Sequence, residues 1–323
     1  MSIGNRKKKQ KKAVPDLQNM RKRITVTARK ENLFMKQWII YILLLLFPFL
    51  LSGDDALTFR QKIAQLEQKG VKFADAGREL KSVPPNYKER VLELPDGVLR
   101  IGSRALNRCR NIHDVILPRS VTLIGKRAFE KSGIKNITIP KSVQTIEDMA
   151  FRECKNLMHI KLEQGVVEIG ERAFSGCEKL ESFIMPNSVQ KLGDRVFENC
   201  TNMKSATLSL RLTVIPDHLF VNCEKLDGLQ IPPYVRSIEK YAFQNCKSLT
   251  AIYINSYTHT IHDYAFNDCK KLEEVTISHG VRAIGRGAFS GCESLKEAVL
   301  PRTVKIVGDD AFPRWVIVKK KRR

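Results

Sequence analysis

The chain has 323 residues and a formal net charge of +22, from 56 Lys and Arg against 34 Asp and Glu. The charge sits at the ends: residues 1–36 contribute +10 and residues 319–323 (KKKRR) +5, leaving +7 for everything between. This distribution excludes a uniformly cationic body, and a charge-driven partner is expected to meet the tails first.

Residues 1–36 are polar and Lys-rich, with RKKKQKK at 6–12 and RKR at 21–23. Such a composition cannot bury enough apolar surface to fold alone, so disorder is expected. A fourteen-residue apolar run follows, Trp38 to Leu51, with Pro48 inside it. A membrane-spanning helix takes about 20 residues, so this run better suits the h-region of a secretory signal, with the basic stretch as n-region. Leu51 is large where a cleavage site favours a small residue. Segment 37–53 is therefore read as a signal peptide or as a membrane anchor whose positive end stays inside; a buried helix of a cytosolic protein is the alternative. A chain begun at Met35 would carry a signal peptide of ordinary proportions. Residues 1–34 are then either a cytoplasmic tail or no part of the natural protein.

Residues 54–90 are expected to form a helical N-terminal cap and a connector. Ala56, Phe59, Ile63 and Leu66 fall at helical spacing, with Asp55 as N-cap and Gly70 as stop, which predicts a helix over 55–69. Its apolar face is suited to cover the open first unit of a repeat array. Val83-Pro84-Pro85-Asn86 marks the connector.

From residue 91 to 318 one pattern recurs, clearest at Ile169 to Cys177 (IGERAFSGC). Its Phe returns at Phe129, Phe151, Phe174, Phe197, Phe220, Phe243, Phe266, Phe289 and Phe312, with Leu106 in the same place one copy earlier. Every step is 23 residues except Phe129 to Phe151, which is 22. A unit of this length cannot bury its own apolar face and must stack on neighbours, so the fold class is a repeat solenoid of about ten 23-residue coils. An aliphatic residue stands five before each Phe, from Ile101 to Val307, and an L-x-x-I-x-I spacing follows it, as at Leu157, Ile160 and Leu162. Residues two apart share one face of a strand, and a following Pro (Pro118, Pro140, Pro186, Pro232, Pro301) marks where the strand ends. Phe and Cys three apart in A-F-x-x-C fit a single helical turn. Each coil is thus β-rich with a short helical turn. Gly four before the Phe, present in six copies, is read as supplying turn freedom, although Glu147, Pro216, Glu239 and His262 replace it elsewhere.

All eight cysteines lie three residues after the reference position, from Cys109 to Cys292. In stacked coils such residues project in parallel at about 4.8 Å spacing, and parallel Cβ vectors do not form a relaxed disulfide. A straight row of thiols cannot surround a tetrahedral metal. They are read as small buried residues.

The pattern Ile139-Pro140-Lys141-Ser142-Val143 through Cys154, Leu157 and Ile160 closely resembles the BspA-like class of leucine-rich repeats, and the match runs from about Leu92 to Phe312. The resemblance implies a leucine-rich-repeat-like solenoid. It also implies a secreted or surface protein of a microbe that binds a protein partner, either a host matrix protein or another cell-surface protein. The family's Pro is replaced by Glu163, Ser209, Asn255 and Ser278, which leaves the sharpness of the bend open in those copies.

Between the two inward residues of each strand lies one outward residue: Ile116, Thr138, Lys161, Ile184, Thr207, Gln230, Tyr253, Thr276 and Val299. Singly each is what an exposed strand favours; as a row they are the candidate partner-binding face. Five of seven Tyr fall between residues 234 and 264, which adds Tyr257 to the candidates and suggests a local aromatic patch, His259 and His262 lying in the same stretch. The leading expectation is a non-enzymatic adhesion protein. The alternative is an intracellular scaffold or a nucleic-acid-associated repeat protein using its basic tails. Nucleic acid is the weaker partner, because no aromatic residue interleaves with RKKKQKK, whereas a membrane contact through 37–53 stays open. No phosphate loop, metal-ligand spacing or nucleophile with a placed base is found, so no cofactor is expected. At the C-terminus, Trp315 is read as a plug for the final coil and Val316-Ile317-Val318 as a last strand, unless the chain is truncated there.

Overall fold

The computed structural model describes residues 53–320. The expectations for the basic segment 1–36 and the apolar run Trp38 to Leu51 lie outside the described residues. Among the described residues no helix is long and apolar enough to cross a membrane. The chain divides between Thr58 and Phe59, and Phe59–Arg323 is the unit that holds the repeats.

Helix α1 runs Gly53–Gln68. Within the larger unit its Ile63 is buried, and Phe59 and Leu66 pack against the core. The Phe59 ring occupies the space beside Gly77 and Gly97, where a Cβ would stand 3.0 and 2.9 Å from ring carbons. Both backbones are also left-handed (φ +89° and +109°), so glycine is required there twice over.

Each coil gives one strand to each of two faces. The long-strand face holds eleven strands, from Val91–Glu93 to Ile317–Lys320, in parallel groups of four, three and four. Its register is one coil, as in Thr138↔Lys161 and Tyr253↔Thr276. The short-strand face stacks two-residue strands in the same way, Ile169 opposite Leu192. Its stack begins at Glu79–Ser82, where Leu80 lies opposite Ile101, in the stretch read from sequence as a connector. Lys72–Ala74 pairs antiparallel with that first strand and covers its edge.

The third side differs from a helix. Cys177 N–H does bond back three residues to Phe174 O (3.2 Å), and Ala128 N–H to Gly125 O (3.0 Å). The intervening N–H groups turn to the next coil: Arg127 to Asp148 O, Phe129 to Ala150 O and Lys131 to Arg152 O, at 3.0, 2.7 and 2.9 Å. This alternation arises because residues two before and two after the Phe are left-handed, as at Arg127 (φ 57°), Lys131 (59°), Arg195 (59°) and Asn199 (61°). A left-handed L-residue costs about 1–2 kcal/mol. The arrangement recovers this by giving every second N–H a partner in the adjacent coil and the others a partner within the turn. The result is a third inter-coil ladder.

The register glycines four before the Phe are not the left-handed residues. They mark close approach instead: a Cβ on Gly170 or Gly285 would stand 2.5 Å from the backbone nitrogen of Asp148 or Asp263. Glu147 and His262 hold the same inter-coil bond (2.9 and 2.8 Å), so a small shift admits a side chain. The one 22-residue step is a deletion between Ser132 and Asn136. A Cβ on Gly133 would lie 1.8 Å from Arg110 O, an approach also found in coils of ordinary length at Gly165 (1.9 Å from Lys141 O) and Gly280 (1.7 Å from Ser256 O). The bend after the long strand survives loss of Pro: Thr258 N–H bonds to Asn255 O at 3.2 Å as Val143 N–H bonds to Pro140 O at 3.0 Å.

The core is a column of nine Phe rings, Phe129 to Phe312, with centroids 4.7–5.9 Å apart and planes within 18°. Offset parallel rings at this distance attract beyond their area burial. The widest gap, 5.9 Å between Phe174 and Phe197, admits Phe183, an inward strand residue 5.2 and 4.7 Å from those two rings. Its neighbour in register is Ala206, so a large residue is matched by a small one. At the C-terminus Ile317–Lys320 pairs as a last strand with Glu297–Leu300. Trp315, however, is 57% exposed and does not plug the coil. A turn from Val316 N–H to Pro313 O points Val316 inward instead.

Replacing Phe197 by Ala removes two stacked neighbours and the Phe183 edge contact in a site that cannot collapse freely. Urea unfolding is expected to show a loss of about 3–5 kcal/mol; a loss under about 1 kcal/mol would mean the column is not the stabilising core.

Candidate functional site

The long-strand face presents the sequence-predicted row on one side. Ile116, Thr138, Lys161, Ile184, Thr207, Gln230, Tyr253, Thr276 and Val299 are all exposed, while Val115, Ile137, Phe183, Ala206 and Ile252 beside them are buried. Backbone register joins members of the row directly: Thr138 to Lys161, Ile184 to Thr207, Tyr253 to Thr276 and Thr276 to Val299. Gln230 lies just past its short strand, Gly228–Leu229. The apolar members are well exposed, Ile184 at 71% and Tyr253 at 60%. Shallow grooves run along the row, one lined by Ile116, Thr138 and Lys161 with Asp114 and His159, another by Tyr253, Thr276 and Val299 with Glu274 and Glu297. Glu93 and Lys319 extend the row, opposite Ile116 and Val299. The sequence hides both, since Glu93 belongs to a copy without the reference Phe and Lys319 to a coil shortened after Pro313.

The five tyrosines close in sequence do not make one patch. Tyr253 stands in the row, its hydroxyl accepting from Ser278 Oγ at 3.1 Å. Tyr257 lies at the bend, edge-on to Tyr234 at 5.3 Å. Tyr241 and Tyr264 belong to the turn side, where they stack on each other (5.2 Å) and Tyr241 also stacks on His218 (4.8 Å). His218 Nε2 in turn lies 3.5 Å from the Arg195 guanidinium. Burial, and then the Arg195 charge, hold His218 below the ordinary imidazole range. These three are the left-handed residues two before the Phe, and they line a structural column. His259 and His262 do not face one ligand: His259 is exposed, and His262 Nε2 lies 3.4 Å from Glu239. Among the described residues no group of His, Cys, Asp or Glu is placed to hold a metal.

The cysteines are free and buried. Their thiols have a role beyond filling space. Seven donate to the carbonyl of the Phe one coil back, as Cys177 to Phe151 O (3.3 Å), Cys223 to Phe197 O (3.1 Å) and Cys292 to Phe266 O (3.2 Å). Cys109, which has no Phe behind it, donates to Val83 O. Burial pushes the thiols up, Cys154 and Cys200 to about 12, so they stay protonated and unreactive at neutral pH.

Two parallel faces, a hydrogen-bonded turn side and a single aromatic column define a leucine-rich repeat solenoid. The profile of the BspA type leucine rich repeat region, in six copies, matches residues 86–204 and 192–316, and the chain belongs to that family. Among solved structures, the pneumococcal vaccine antigen PcpA is similar, with 20% identity over 76% of this chain and 72% of that one and a TM-score of 0.53. A leucine rich cell surface protein from Faecalibacterium prausnitzii is 22% identical over 76% of this chain and 84% of its own, with a TM-score of 0.47. The leucine rich repeat protein of T. pallidum is 22% identical over 69% and 91%, with a TM-score of 0.44. No curated protein matches the chain.

The thiols make stability depend on alkali. An unfolded thiol ionises near 8.5, whereas the folded ones hold their protons far above it, so the unfolded chain binds fewer protons as pH rises. Stability is then complete below about 8.5 and falls above it by about 1.4 kcal/mol per thiol per pH unit. Urea midpoints under reductant should drop between pH 7.5 and 9.5, and a thiol reagent should titrate all eight groups only after unfolding. Fast native labelling would show that the thiols reach water.

Proposed function

We propose that the chain is a non-enzymatic recognition protein that presents the long-strand face to a protein partner, a host matrix protein or another cell-surface protein, outside the cell or on its surface. The observation that carries this is the exposed row from Ile116 to Val299, which sets Ile116, Ile184, Tyr253 and Val299, 41–71% exposed, on one face built from three successive parallel sheets. An extended row of this kind is the usual contact surface of a solenoid, and exposed apolar side chains held on a rigid sheet mark interaction sites. Membership of the BspA-type family supports protein binding. The pneumococcal relative, described as a vaccine antigen, supports a location accessible from outside. Segment 37–53 would serve export or retention at the membrane.

The test is Ile184→Asp with Tyr253→Ala. Both side chains point to solvent, so circular dichroism and melting temperature should not change. Binding to immobilised extracellular-matrix proteins should fall by about tenfold or more, as removal of central apolar and aromatic contacts does. Unchanged binding across the panel removes this face from consideration.

A further inference from the structure

We propose that the last coils carry, on the short-strand face, a binding site for a linear anionic polysaccharide. This goes beyond the protein-binding reading and uses a different surface. Arg236, His259, Arg282 and Lys305 share one register at 23-residue steps. Their backbones are joined coil to coil: His259 N–H to Arg236 O, Arg282 N–H to His259 O and Lys305 N–H to Arg282 O, at 2.7, 2.8 and 2.8 Å. The side chains therefore rise in a straight file about 4.8 Å apart. All four are exposed.

Two features separate this file from ordinary surface charge. First, it is confined. The same register in the five coils before it holds Thr122, Gln144, Val167, Gln190 and Thr213, none of them charged. Second, none of the four makes an ion pair among the described residues, so no carboxylate of the chain neutralises the file as Glu178, Glu181, Glu224 and Glu293 neutralise Lys155, Lys204, Lys247 and Lys270 in other registers. Glu239, a nearby carboxylate on the same face, is turned to other partners, accepting from Ser237 Oγ at 2.6 Å and lying 3.4 Å from His262. Arg282 and Lys305 are adjacent like charges at one-strand spacing, which repel, and Arg236 stands two strands from Arg282 across His259. A ligand with acidic groups recurring along its length would relieve that repulsion and reach Arg236 as well.

Tyr234 and Tyr257 favour a carbohydrate. Each stands two residues before a member of the file, at the bend that leads into the strand, and they are 55% and 53% exposed. Their rings meet edge to face, at 73°, so they offer single open faces and no parallel slot for an inserted base. A Tyr ring packs against the C–H face of a sugar while its hydroxyl bonds to sugar hydroxyls. Uronate or sulfate groups of the same chain would then lie over Arg236, Arg282 and Lys305.

The test uses the full chain and heparin fragments of defined length, titrated calorimetrically at near-physiological salt. Arg236→Gln/Arg282→Gln/Lys305→Gln is compared with Lys179→Gln/Lys204→Gln/Lys225→Gln, which removes equal charge from other registers. The file variant is expected to bind about tenfold more weakly or worse, and the control within about twofold of the parent. Arginine-directed footprinting should show Arg236 and Arg282 protected by heparin. Folding is checked by melting temperature, which exposed polar changes should leave unmoved. Equal loss in both triple variants, or full affinity in the file variant, would place binding in the basic tails and overturn the site. Equal affinity for a single-stranded oligonucleotide of matched charge would overturn the carbohydrate assignment.

Discussion

The structure depends on backbone hydrogen bonds that repeat at a one-coil interval on all three sides. On two sides these are parallel strand ladders, and on the third they come from a turn whose left-handed residues free every second N–H to reach the next coil. Because the interval is nearly constant, side chains are held above their equivalents one coil earlier, 23 residues away in most of the array. Columns of Phe, of thiols and of outward residues follow from this constraint. A single coil gains too little by burial to offset its own ordering, so order is shared between neighbours and the array behaves as a one-dimensional stack.

The sequence displayed this periodicity openly, and with it the Phe column, the inward strand residues and the exposed row. What it concealed was backbone conformation. Arg127, Met149 and Tyr264 are not residues that announce φ > 0, because the cost of the left-handed state is met by inter-coil bonds invisible in one copy. The A-F-x-x-C spacing therefore suggested the single turn that is present, but not the ladder to the next coil that runs through it. The glycines misled in the same way: their position was legible, but close approach between coils, not conformational freedom, explains it. The thiols read as inert filler, although seven of them donate to a Phe carbonyl one coil back; Ser132, in the same register, lies instead 3.5 Å from Cys154 Sγ.

The candidate face was legible as a row but not as a set of neighbours. Tyr234, Tyr241, Tyr253, Tyr257 and Tyr264 are close along the chain yet fall on three sides of the coil, since a 23-residue unit turns its surface through a full circuit. Proximity in sequence therefore says little about proximity on a solenoid, and equality of register says nearly everything. The cations of the short-strand face emerge only when residues are compared at the repeat interval.

Phe183 and Ala206 give the array one keyed joint. In most other coils the inward residue at this register is aliphatic, as Val115, Ile137, Ile252 and Val275. Here the ring of one coil reaches between Phe174 and Phe197, and only a methyl group on its neighbour leaves it room. A duplication or exchange of coils whose boundary fell at this joint would set bulk against bulk or leave a void. The order of the coils that carry Phe174 and Phe197 is thus locked by the bulk of one side chain and the smallness of the next.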